Sequence, residues 1–326
     1  MDNIKSLENL TKDKENFYNE LSKIIIGQKD VIDHIFTAIL CKGHILLEGV
    51  PGLGKTLIIK TIADILDLNF SRIQFTPDLM PSDITGSEII SQDVKTGNRS
   101  FKFIKGPVFS NIILADEINR TPPKTQSALL EAMQENRVTI GGKTHEIESP
   151  LFVMATQNPI EQEGTYPLPE AQLDRFMFNV IINYPSFNEE LDIVKNNTSN
   201  IKIDLNKIIS RDNLLDYQNL VLNIPISENL INFAVNFVHS TRPNQENPEL
   251  VTKKYINWGA GPRASSYLVM AAKAKAAISN KPSPDMDDMI SVIKPVLRHR
   301  IIPNFNAEAE GIKSDNILDD LLKSVK

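Results

Sequence analysis

Short apolar runs alternate with stretches of helical periodicity through the first half of the chain. His44-Ile45-Leu46-Leu47-Glu48 reads as a buried strand, and apolar residues at helical spacing follow in Leu57-Ile58-Ile59-Lys60-Thr61-Ile62-Ala63. Phe70–Phe75, Ile112–Ala115, Leu151–Thr156 and Phe178–Ile182 are further runs of strand length, and Lys124–Glu135 is an amphipathic helix. Strands alternating with helices predict an α/β domain with a parallel sheet. Upstream, an apolar knot at Ile24-Ile25-Ile26-Gly27-Gln28 precedes a helix carrying Val31, Ile32, Ile35, Phe36, Ile39 and Leu40. These residues are either plain core or the lining of an apolar slot for a base. The charge-rich first 23 residues read as a surface helix with a frayed start, and residues 76–83 as irregular.

Two period-two pieces read as hairpins outside the main sheet. One spans residues 87–104 and turns at Lys95-Thr96-Gly97-Asn98; the other spans 137–147 and turns at Gly141-Gly142. After Asn183-Tyr184-Pro185 the pattern becomes helical, broken by Pro225, Pro243, Pro248, Pro282, Pro284 and Pro295. The expected organisation is an α/β domain over residues 1–185 and a smaller helical domain over 186–326.

Composition narrows the class. The 326 residues are 41% hydrophobic and 23% charged, which suits a soluble globular protein with a sizeable core. The net charge of −6 gives no global pull toward nucleic acid. The single cysteine, Cys41, excludes an internal disulfide and fits a reducing compartment. The N-terminus lacks the apolar stretch of a signal peptide, and no run approaches the ~18 apolar residues of a membrane span. Cytoplasm is the expected location.

Three places carry chemistry. Gly49-Val50-Pro51-Gly52-Leu53-Gly54-Lys55-Thr56 fits G-x-x-x-x-G-K-[ST] and sits between a strand and a helix, as a phosphate-binding loop requires. Its glycines let successive N–H groups face phosphate oxygens, and the helix start, through Leu57, adds a positive dipole end. Lys55 can reach the β- and γ-phosphates, and the Thr56 hydroxyl can ligate Mg²⁺. The run Ile112–Ala115 ends on Asp116-Glu117, placing two carboxylates in the crevice beyond a parallel strand. Asp116 suits Mg²⁺ through water, and Glu117 suits polarising an attacking water. Asn158 ends the next strand, where a neutral amide can hold that water or the γ-phosphate without repelling either; its bland role is a turn before Pro159. In Gly259-Ala260-Gly261-Pro262-Arg263-Ala264, Arg263 sits in a helix's first turn, where the dipole does not favour it.

The strings together resemble the MoxR family of AAA+ ATPases. The match rests on the loop at 49–56, Asp78-Leu79-Met80-Pro81-Ser82-Asp83-Ile84-Thr85-Gly86, Ala115-Asp116-Glu117-Ile118-Asn119-Arg120 and Pro122-Pro123-Lys124-Thr125-Gln126. It continues with Ala155-Thr156-Gln157-Asn158-Pro159, Glu170-Ala171-Gln172-Leu173-Asp174-Arg175-Phe176 and Gly261-Pro262-Arg263-Ala264, with Gly261 standing where a serine is expected. The resemblance implies a P-loop αβα domain with hairpin inserts and a helical lid. It implies Glu117 as catalytic glutamate, Asn158 as sensor 1, Arg175 as the arginine finger reaching a neighbouring subunit's γ-phosphate, and Arg263 as sensor 2. It also implies ATP and Mg²⁺, a homo-oligomeric ring, usually a hexamer, a von Willebrand factor A-domain partner and chaperone-like work on a protein client. Two other functions compete. A nucleic-acid motor or helicase loader draws on Lys95, Arg99, Lys102 and Lys105 of the first hairpin, against the acidic total charge and the lack of exposed aromatic–basic interleaving. A nucleotide sensor without turnover is disfavoured by the presence of Glu117 with Arg175.

Overall fold

The computed structural model describes residues 2–92, 99–159, 164–198 and 203–325. The expected turn at Lys95–Asn98 lies outside the described residues. In chain order the strands are β1 (Ile45–Glu48), β2 (Phe70–Gln74), β3 (Gly86–Gln92), β4 (Arg99–Lys105), β5 (Ile112–Asp116), β6 (Arg137–Ile140), β7 (Lys143–Glu146), β8 (Phe152–Gln157), β9 (Phe178–Ile181), β10 (Ile256–Trp258) and β11 (Ile302–Pro303). Five of them form one parallel sheet ordered β2-β5-β8-β1-β9. β5 and β8 are buried on both faces, which is why their sequences are continuous apolar runs rather than alternations.

The helix Lys55–Ile65 packs one sheet face, on which Ile45, Leu47, Leu114 and Met154 lie. The helix Pro123–Glu135 packs the other, against Leu46, Ile113, Val153 and Ala155. The first face and the C-terminal helices share one continuous core. The N-terminal helix Asp2–Ser22 joins them. It is no surface helix, because Leu7, Leu10, Phe17 and Leu21 form a buried stripe between its charges. That stripe packs against the helices Lys55–Ile65, Arg211–Asn223 and Pro262–Ile278.

Both expected hairpins form, β3 with β4 and β6 with β7. They touch each other: Phe103 stacks on His145 with ring centroids 4.0 Å apart, and Lys143 lies 3.9 Å from Glu88. The stretch read as irregular contains a short helix, Pro81–Thr85, and the N–H of Met80, the residue that caps its start, donates to Asp83 Oδ2 at 2.9 Å. The C-terminal region is helical apart from the short antiparallel ribbon of β10 and β11. Among the described residues no helix is long and apolar enough to cross a membrane.

Candidate nucleotide site

The sheet order decides which chain segments meet. The loop leaving β1 and the carboxylates leaving β5 flank the end of β8, and all three emerge at the C-terminal edge of the sheet. The loop is tied down by Gly49 N–H, which donates to Gln157 O at 3.3 Å. Gly52 and Gly54 adopt φ of 87° and 73°, and a side chain at either would meet only open space. Positive φ at these two glycines is the backbone conformation that turns successive N–H groups toward a phosphate. The first bond of the following helix runs from Ile58 N–H to Gly54 O, so the N–H groups of Lys55, Thr56 and Leu57 are the helix's free donors. Val50 and Leu53 are half-buried while Pro51 and Leu57 are exposed at the loop's rim. Lys55 folds back onto the carbonyl of Gly49. Burial pulls its ammonium below the usual value, opposed by the nearby Asp116 and Glu117 carboxylates.

Asp116 accepts from Thr156 Oγ1 at 2.7 Å on one oxygen and from Arg72 Nη2 at 2.7 Å on the other. Glu117 adopts a left-handed φ of 58°, which turns its side chain off the strand direction. Its N–H donates to Thr156 Oγ1 at 2.9 Å, and its carboxylate accepts from Gln74 Nε2 and Arg120 Nη1, each at 3.0 Å. Thr156 therefore ties the Asp116 carboxylate to the Glu117 backbone. Neither its role nor those of Arg72 and Gln74 was read from the sequence. The available signal was a buried polar residue inside the apolar run of β8, 1% exposed. Asn158 follows, buried, and lines a cavity of about 640 Å³ together with Glu48 and Asn179. The Thr56 hydroxyl and the Asp116 carboxylate make an all-oxygen donor set of the kind a hard divalent cation takes, so the residues fit Mg²⁺.

Arg175 and Arg263 lie elsewhere. β9 begins at Phe178, level with Ile45 at the start of β1, and Met177 N–H donates to His44 O at 2.8 Å. Asp174 and Arg175 thus sit below the N-terminal edge of the sheet. The length of β1, about 10 Å at roughly 3.3 Å per residue, separates them from the phosphate loop. Arg175 Nη1 donates to Leu130 O at 2.7 Å. Asp174 does not pair with its neighbour Arg175. It pairs with Arg263 at 3.0 Å and with Arg300 at 2.8 Å. The structure so gathers residues 49–57, Asp116, Glu117 and Asn158 at one end, and Arg175 with Arg263 at the other.

A profile of the ATPase family associated with various cellular activities (AAA) matches residues 44–178, and one of the AAA lid domain matches 249–321. Chaperone MoxR1 of Mycobacterium tuberculosis is 43% identical, over 94% of this chain and 80% of its own. The chain belongs to the MoxR family of AAA+ ATPases. The uncharacterized protein YeaC of Bacillus subtilis is 42% identical over 94% of this chain and 92% of its own. Protein MoxR of Methylorubrum extorquens is 25% identical over 95% and 92%. A crystal structure from Cytophaga hutchinsonii, provisionally described as an ATPase, superposes with a TM-score of 0.91 at 44% identity, covering 99% of this chain and 97% of that one. The MoxR resemblance read from the motifs, and the expected fold of AAA+ core with helical lid, are both borne out.

Proposed function

We propose that this MoxR-family chain hydrolyses ATP with Mg²⁺ in a homo-oligomeric ring, most simply a hexamer, and remodels a protein client. The observation that supports this is the split between the two ends of the sheet. One end holds the phosphate cradle, Lys55, Asp116, Glu117 and Asn158; the other holds two arginines engaged away from that cradle, Arg175 on the Leu130 carbonyl and Arg263 on Asp174. A complete site then needs two copies, one copy's cradle facing its neighbour's Arg175 and Arg263.

In this reading Gly49–Leu57 bind the triphosphate through backbone N–H groups, and Lys55 leaves the Gly49 carbonyl to pair with the phosphates. Thr56 and Asp116 would hold Mg²⁺, which supplies positive charge to the phosphate oxygens. Glu117, once released from Arg120 and Gln74, accepts the proton of the attacking water, and Asn158 orients that water. The neighbour's Arg175 stabilises charge on the transferring group. Support for chaperone-like work is the family and the name of its mycobacterial member, Chaperone MoxR1. A von Willebrand factor A-domain protein is the proposed partner, and cytoplasm the proposed location.

Two substitutions test the core of this. Lys55→Ala is expected to abolish ATP binding in calorimetric titration. Glu117→Gln is expected to keep binding and lose turnover by about 10²-fold or more. Unchanged affinity in the first, or unchanged turnover in the second, removes the corresponding role. The nucleic-acid motor stays as a second reading because β4 exposes Phe101 (69%) on the same strand face as Arg99, an aromatic–basic pair on which a base can stack. Salt-dependent retention on single-stranded DNA decides for it, and loss of retention at low salt decides against it.

A further inference from the structure

The segment that carries Arg175 is held by lid side chains at every carbonyl. Arg300 Nη2 donates to Asp174 O at 2.8 Å and to Phe176 O at 2.6 Å, and its Nη1 donates to Met177 O at 3.3 Å. Tyr267 Oη donates to Arg175 O at 3.3 Å. His299 Nε2 lies 3.1 Å from Phe176 O, and Arg298 Nη1 donates to Asn179 O at 3.3 Å. Arg300 also gives its Nε to Asp174 Oδ1 at 2.8 Å, while the other carboxylate oxygen takes Arg263 Nη1 at 3.0 Å. The Tyr267 ring covers the guanidinium, 5.1 Å from its carbon.

The Arg300 side chain is only 2% exposed. Burying a guanidinium is expensive, and an apolar side chain of similar volume often stabilises as well or better. What an apolar side chain cannot do is donate to four carbonyls, those of Asp174, Phe176, Met177 and, four residues back along its own segment, Val296, and to a carboxylate in fixed directions; the planar five-donor fork does. The segment so fixed includes Arg175, and the shared carboxylate belongs to Asp174, which also sets Arg263.

We propose that Arg300 is a positioning residue: through Asp174 and the carbonyls of residues 174–177 it holds Arg175 and Arg263 as one rigid pair presented to the neighbouring subunit. The inference rests on the reading that these two arginines act across a subunit interface. Lid and finger then move together, and a displacement of the lid moves both arginines relative to the neighbour's nucleotide.

The test uses full-length Arg300→Lys, which keeps the charge and removes the fork. Binding of ATP at the chain's own loop should stay within about twofold, since Arg300 lies at the opposite sheet edge, while kcat falls by about 10²-fold, the cost of a misplaced catalytic group. Complementation gives the readout that a merely structural role would not move. Mixed with Glu117→Gln subunits, Arg300→Lys should regain turnover, as Arg175→Ala should in the same mixture. Mixed with Arg175→Ala, it should regain none, because both lesions damage the same face. If Arg300→Lys melts below assay temperature, Asp174→Asn replaces it with the same expected pattern. Wild-type turnover in a folded Arg300→Lys or Asp174→Asn, with Arg175→Ala inactive, overturns the positioning role and leaves the trans reading intact. Normal turnover by Arg175→Ala overturns that reading and the inference with it.

Discussion

His44 sits where the chain enters β1, and both ring nitrogens are committed. Nδ1 accepts the N–H of Val153 at 3.1 Å, so Nε2 carries the proton, which it shares with Met133 O at 3.2 Å. Burial pushes the imidazole pKa down from 6.5 to about 4, with the Met133 carbonyl opposing weakly. The unfolded chain therefore takes up a proton near pH 6.5 that the folded chain refuses until about pH 4, and stability is lost as pH falls through that window. Between pH 7 and pH 5 the loss is about 2 kcal/mol for this group, at roughly 1.4 kcal/mol per pH unit. His34 and His299 are also lowered, each chiefly by burial, and add to the same slope. Urea unfolding at both pH values should show a steeper acid loss for the natural chain than for His44→Asn. Equal losses would clear His44 of the effect.

At the scale of the element, the β3–β4 hairpin stands apart from its surroundings. It exposes Ile89, Ile90, Phe101 and Ile104, with Phe101 the most exposed at 69%, whereas the sheet strands β5 and β8 are buried. Its described side-chain contacts run to the β6–β7 hairpin and to Phe109, with none to the phosphate loop. Protruding connections on a rigid scaffold are where recognition resides. Replacing residues 90–101 by a short Gly-Ser turn should therefore leave basal ATPase within about twofold, and impair action on a client or partner instead. Collapse of basal turnover in a folded variant would assign the hairpin a structural role.

For the whole molecule, the distance between the two ends of the sheet has a kinetic consequence. If the cradle of one copy needs Arg175 of the next, ATPase activity should rise more than linearly with protein concentration until assembly is complete. Arg175→Ala and Glu117→Gln should each be nearly inactive alone, an arginine finger being worth roughly 10³–10⁵ in rate where one is used. Mixed, they should recover turnover at the interfaces that join an intact Glu117 to an intact Arg175. A strictly linear concentration dependence, or co-assembly without recovery, moves the trans-acting role away from Arg175. Arg120 is then the next to test, although here it pairs with Glu117 of its own chain at 3.0 Å.

What was legible in the sequence was contiguous in it. The phosphate loop, the Asp116-Glu117 strand end, Asn158 and both hairpins are local strings whose strand, turn or helix context is set by neighbours a few residues away. What only the tertiary structure decided joins residues far apart. Thr156 meets Asp116 across 40 positions, Arg263 meets Asp174 across 89, and Arg300 meets Asp174 across 126. The buried stripe of the N-terminal helix was hidden by the charges between its apolar positions, and β10–β11 was too short to show a period. Periodicity reports which face of an element is apolar; it carries no information on which distant element that face, or a buried arginine such as Arg300, will meet.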